Sequence, residues 1–201
     1  MNLVERIETE REAISYAIYG IHVVEKVGPK ADLARLLDTN IANKNTEGKD
    51  IQTVGGHILL YKLKSNRKLT RAASGRLAGS LLGVVCELLK DDNETWEQKF
   101  SHIPEMIFLR HVRNGVFHGN RFNFHNAPIN AVWRGNELTE DMDGELVFPE
   151  LRGYNISHEP LGPAERRHAD PKIVEGYMAT GDAFALVADI IEIVKREIGS
   201  D

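Results

Sequence analysis

Apolar side chains recur three, four or seven positions apart along most of the chain, the period of amphipathic helices. Leu3, Ile7, Ile14, Ile18 and Ile21 form one such stripe and predict a helix over about 2–28, ended by Gly28-Pro29. A shorter helix is expected at about 30–38, then a polar loop from Asp38 to Asp50. Asp50 is placed to cap a helix over about 51–66, which Gly55-Gly56 weakens. Leu69, Ala73, Leu77, Leu81, Val84 and Leu88 mark one face of a helix over about 69–90. A short helix at 94–100 follows, then one from about Ile103 to His118 that carries Ile103, Ile107, Val112 and Val116.

The period changes after His118. From Gly119 to Pro149 the chain is rich in Asn, Gly and aromatic residues. Ala131–Arg134 and Glu145–Phe148 flank the turn-rich Asp141-Met142-Asp143-Gly144, which predicts a β-hairpin. A Pro-punctuated loop leads to a last helix that begins between Asp170 and Gly181. Phe184, Val187, Ile191, Val194 and Ile198 are its apolar stripe, and Gly199 closes it. The expected fold is mainly α. It is a helical bundle over residues 1–201, one domain, with a small hairpin and loop excursion at about 119–169 before the last helix.

Composition narrows the function class. With 201 residues, 42% hydrophobic and a net charge of −5, the chain has the make-up of a globular domain rather than a disordered one. No uninterrupted run of ~18 apolar residues occurs, so no membrane span is expected. Met1–Arg6 turns charged at once and lacks a signal-peptide core. The one cysteine, Cys86, sits in an apolar run and reads as a core residue, and a cytoplasmic location is the simplest expectation.

The charge is unevenly spread. No Asp or Glu occurs from Ile51 through Cys86, a stretch holding Lys62, Lys64, Arg67, Lys68, Arg71 and Arg76. None occurs from Met106 through Asn136, which holds Arg110, Arg113, Arg121 and Arg134. An acidic protein can still present a basic face to a polyanion. Lys64, Arg67, Lys68, Arg71, Arg110 and Arg121 are therefore candidate contacts to the phosphates of a polyanion, with solvated helix faces as the plain alternative. Phe122, Phe124, Trp96 and Trp133 suit packing better than base stacking.

Signatures for nucleotide-binding loops, zinc proteases, CxxC redox pairs and serine hydrolases are absent. The histidines lack zinc-site spacing, so no metal and no cofactor is expected. What stands out is Arg110-His111-Val112-Arg113-Asn114-Gly115-Val116-Phe117-His118-Gly119. On a helix, Asn114 and His118 are neighbours on one face, and Arg113 lies roughly 140° from His118. A guanidinium binds and neutralises a phosphate in bidentate fashion. An imidazole titrating near neutrality moves a proton to or from a ribose hydroxyl. Gly119 suits a helix end that leaves the imidazole open.

Arg113, Asn114 and His118 resemble the RNxxxH signature of the HEPN superfamily, late in a helix of an α-helical chain. The motif spans six residues, and the surrounding bundle extends the resemblance loosely. It implies a helical bundle that forms a homodimer, with two motifs facing one another in a composite, metal-independent endoribonuclease site. Arg113 and His118 would be the catalytic pair and Asn114 their polar support. The resemblance also implies a role as a toxin, countered by an antitoxin partner, or in antiviral defence. Some members bind RNA, nucleotide or protein without cleaving. The excursion after Gly119 lies outside the minimal bundle of that superfamily.

Overall fold

The computed structural model describes residues 2–27, 42–44, 50–52, 67–91, 93–124, 130–152 and 172–199. Four long helices carry the core: α1 (Leu3–Val27), α2 (Arg67–Lys90), α4 (Pro104–Phe117) and α5 (Thr180–Ile198). A one-turn α3 (Asn93–Thr95) runs into a π-helical turn, Trp96–Phe100, between α2 and α4. Helix α2 is the hub, packing against α1, α4 and α5, while α1 also meets α5. The chain is thus mainly helical, with a small antiparallel strand pair just before the last helix. The expectations at 30–38 and 53–66, together with Lys64, lie outside the described residues.

Local chemistry sets the helix ends. Asn2 and Glu5 form a reciprocal box at the start of α1: Glu5 N–H donates to Asn2 Oδ1 at 2.9 Å and Asn2 N–H to Glu5 Oε2 at 3.0 Å. Pro104 opens α4, where its missing N–H costs no helical bond. Asp182 accepts the Ala179 N–H at 2.8 Å at the start of α5, and Gly199 ends that helix.

The buried face of α2 runs through Thr70, Ser74, Ala78, Leu81, Leu82, Val85, Cys86 and Leu89. This corrects the expected stripe, of which Val84 is 38% exposed. The physical reason is a second face made of Gly75, Gly79 and Gly83. A Cβ on Gly79 would lie 2.9 Å from Val116 Cγ1, and one on Gly83 would lie 2.7 Å from Phe117 Cζ. Helix α4 packs on bare α2 backbone at Gly79 and Gly83, and Phe148 and Pro149 lie against Gly75. By length and composition Thr70–Lys90 is apolar enough to cross a membrane. Here 61% of that window is buried inside the protein, as in the central helix of a bundle.

Two further expectations are corrected. Asp50–Gln52 is a strand, β2, paired antiparallel with β1 (Ala42–Lys44), rather than a cap and helix start. Ile51 and the following Thr53-Val54 are β-branched and Gly55-Gly56 weakens any helix, so ladder pairing wins locally. The hairpin also has different partners. Val132–Trp133 (β3) pairs with Asn136–Glu137 (β4) through Arg134-Gly135, both at positive φ (49° and 78°), the backbone that a tight two-residue hairpin turn requires. Glu145–Phe148 instead pairs back with Asn120–Phe122: Phe122 N–H reaches Glu145 O and Val147 N–H reaches Asn120 O. The last ladder joins β5 (Glu150–Arg152) to β6 (Lys172–Val174), in antiparallel register Leu151↔Ile173.

Trp96 and Trp133 are buried packing residues, as are Phe122 and Phe124, whose rings stack at 5.3 Å. The β3–β4 turn is pinned to α5. Trp133 Nε1 donates to Asp189 Oδ2 at 2.8 Å, and Arg134 binds the same carboxylate through two nitrogens at 2.7 and 2.9 Å. The Arg134 guanidinium holds the Asp189 carboxyl below its usual range.

Candidate functional site

Helix α4 ends where its sequence demands. His118 N–H closes the last turn on Asn114 O at 2.9 Å, and then Gly119 (φ 78°) and Asn120 (φ 63°) turn the backbone left-handed. Glycine adopts that conformation freely, and asparagine tolerates it. Asn120 is buried, and its amide copies a β-pair. Nδ2 donates to Phe148 O at 2.8 Å, and Phe148 N–H donates to Oδ1 at 3.1 Å. Gly115, inside the motif, lets the returning chain lie on the helix. A Cβ there would meet Val147 Cγ2 at 2.6 Å and the Arg121 carbonyl at 3.0 Å. The motif is therefore fixed from behind while its open side faces solvent.

At about 100° per residue, Arg110, Arg113, Asn114, Phe117 and His118 fall within about 140° of the helix. His118 is exposed, and its imidazole makes no hydrogen bond among the described residues. Arg113 and Asn114 are half-buried, with Arg113 Nη1 donating to Asn114 Oδ1 at 3.2 Å. Arg113 Nη2 donates to the Glu87 carboxylate of α2 in a short ion pair. Its Nε is buried without a hydrogen-bond partner among the described residues, and its guanidinium lies 4.9 Å from the Phe117 ring centroid. Chemically this is a half-fixed cation and an exposed imidazole at one solvent-open helix end. Glu87 sits where an anion would bind the cation.

The other candidates scatter. Arg110 is half-buried on the same helix face. Arg121 is exposed beyond the turn and donates to Gly144 O at 2.5 Å. Arg71 is held bidentate by Glu175 at 2.8 and 2.6 Å. Arg67 and Lys68 lie in the first turn of α2. Arg110, Arg113, Asn114 and His118 thus share one face of α4, while Arg67, Lys68 and Arg71 belong to α2 and Arg121 lies beyond the end of α4.

His111 is buried 5.3 Å from the Phe124 ring, with neither ring nitrogen hydrogen-bonded among the described residues. Burial, and then the nearby Arg110 charge, pull its pKa below 6.5. Cys86 is buried, and burial pushes its thiol pKa up, which makes it a poor nucleophile. Among the described residues no group of three His, Cys, Asp or Glu side chains is placed to hold a metal.

The family-model scan and the searches of curated proteins and solved structures returned no match. The site must therefore be read from its own residues. Glu87, Phe117 and the Gly75-Gly79-Gly83 stripe are the parts that sequence reading missed. The glycines were legible as an i, i+4, i+8 row, and glycine inside a helix makes sense where a neighbour needs the space. Glu87 was not, because its partner is distant in sequence.

Proposed function

We propose that this chain is a metal-independent endoribonuclease of the HEPN type. The observation that carries the reading is the common placement of Arg113, Asn114 and His118 at the solvent-open end of α4. Arg113 would bind the scissile phosphate and stabilise the charge that grows on it, with Asn114 steadying the guanidinium. The ribose 2′-oxygen attacks phosphorus, its proton passing to an imidazole, and the P–O5′ bond breaks as the 5′-oxygen gains a proton. In a homodimer that brings two motifs together, one His118 takes the first proton and the other supplies the second. The products carry a 2′,3′-cyclic phosphate and a 5′-hydroxyl. The motif resemblance extends the reading to a toxin held by an antitoxin, or an antiviral effector, acting in the cytoplasm.

The test is cleavage of a mixed pool of tRNA and single-stranded RNA in EDTA, with folding followed by circular dichroism. The expected result is cleavage by the wild type, reduced about 10²–10⁴-fold in His118→Ala and Arg113→Ala with the fold unchanged. Products with 5′-phosphates and a need for magnesium would overturn the mechanism. Two observations favour a second reading, an RNA-binding domain that does not cleave: no hydrogen bond among the described residues orients the His118 imidazole, and Glu87 already occupies Arg113. RNA binding by a folded wild type that never cleaves would establish that alternative.

A further inference from the structure

Phe117 stands apart from the other aromatic residues near the motif. Phe122, Phe124 and Trp133 are buried, whereas Phe117 is 60% exposed. A single exposed aromatic needs no explanation by itself. This one is built into place. Its ring edge fits the notch left by Gly83 on α2, where any Cβ would collide with Cε2 and with Cζ at 2.7 Å. The Arg113 guanidinium lies over the ring, 4.9 Å from the centroid. One edge and one face are thus held by protein, and the exposure belongs to the remainder of the ring. Phe117 is also the residue next to His118 and shares the helix face of Arg110 and Arg113.

A flat, restrained ring beside a phosphate-binding cation has the make-up of a nucleic-acid stacking platform. Unpaired bases stack on aromatic faces while cations track the backbone, and stacking tolerates any base. Because Gly83 and Arg113 already restrict the ring, little side-chain freedom remains to be lost on binding. Resting on the ribonuclease reading above, we infer that Phe117 carries the unpaired base adjacent to the phosphate bound at Arg113. The preferred substrate is then single-stranded RNA, since a base inside a duplex cannot reach a ring on a helix face. Phe117 is a substrate-binding residue, and Gly83 is a positioning residue that acts through it.

The experiment measures fluorescence anisotropy of a short 2′-O-methyl single-stranded RNA in EDTA, which binds but lacks the hydroxyl needed for cleavage. The full chain is compared with Phe117→Ala and Phe117→Trp, on the intact oligonucleotide and on versions each missing one base. The expected outcome is about tenfold weaker binding by Phe117→Ala and retained binding by Phe117→Trp. One abasic position should weaken wild-type binding by a similar factor, and that position should have no further effect on Phe117→Ala. Such non-additivity reports direct contact. Equal affinity of wild type and Phe117→Ala, or losses that simply multiply, would overturn the platform while leaving wild-type cleavage as independent support for the enzyme. Light scattering that shows Phe117→Ala breaking a dimer, with the binding loss following from that, would also overturn it. Failure of the wild type to bind any RNA would remove the ribonuclease reading together with the inference.

Discussion

Arg113 is held in three ways, by Asn114, by Glu87 and by the Phe117 ring, and only the Glu87 contact competes with an anion. The Glu87 side chain is 60% exposed, so the ion pair adds at most ~1 kcal/mol to stability. Glu87→Gln should therefore leave the urea midpoint nearly unchanged while tightening RNA binding several-fold, because phosphate no longer displaces a carboxylate. Anisotropy titration checks this, and unchanged or weaker binding would show that Glu87 does not compete for Arg113. His111 gives a pH prediction. Its folded pKa lies below 6.5 because burial and Arg110 disfavour the charged ring, so below that pH the unfolded chain binds more protons than the folded one. Stability is then complete above about pH 6.5 and falls as the pH drops toward the folded pKa. Among the described residues, Arg110 repels its charge and the neutral Phe124 ring lies against it. Melting temperatures of wild type and His111→Phe between pH 7.5 and 5 test it. The wild type should lose more, whereas parallel curves would place the acid sensitivity elsewhere. The Asp189 carboxyl acts in a separate, more acidic window, below its ordinary 3.8.

At the scale of elements, the end of α4 is made by one buried amide. Asn120→Ala leaves the Phe148 N–H and C=O without their partners and puts alanine at a left-handed φ of 63°. Each of the two stranded buried groups costs about 1–3 kcal/mol and the left-handed alanine about 1–2 more, so a total loss of about 3–8 kcal/mol is expected from urea unfolding. A loss below about 1 kcal/mol would mean that the turn holds without the amide. The helices themselves were legible, since α1, α2, α4 and α5 follow their apolar periods to within a few residues. The facing of α2 was not, because a stripe reading weighs apolar side chains and ignores the places where none are needed. The hairpin shows the same limit. Its turn lies at Arg134-Gly135, a pair less conspicuous than Asp141–Gly144, and Glu145–Phe148 pairs with a segment that precedes the whole excursion.

Over the described residues, arginines drawn from the two acid-free stretches are paired with acids from other elements. Arg71 meets Glu175, Arg113 meets Glu87, and Arg134 meets Asp189, each acid lying outside the acid-free stretch that its partner occupies. Sequence windows cannot show this, because every pair joins residues from separate elements. The motif was legible because its residues share one helix, while its surroundings, Glu87 and the Gly83 notch, come from another. On the proposed ribonuclease reading this pairing makes the salt dependence of RNA binding predictable. Arg110 and Arg113 are the arginines on the motif face, so each chain would neutralise about two phosphates. At ~0.7 per phosphate for a single strand, the logarithm of affinity should fall against the logarithm of salt with a slope of about −1.4, or about −2.8 for a site shared by two chains. Anisotropy titrations across a range of potassium chloride concentrations measure it, and Arg110→Gln should flatten the slope by about 0.7 per chain. A slope steeper than about −4, unaffected by Arg110→Gln, would move the RNA from the end of α4 onto the Lys62–Arg76 stretch. That stretch has enough cations for such a slope, but it does not include His118.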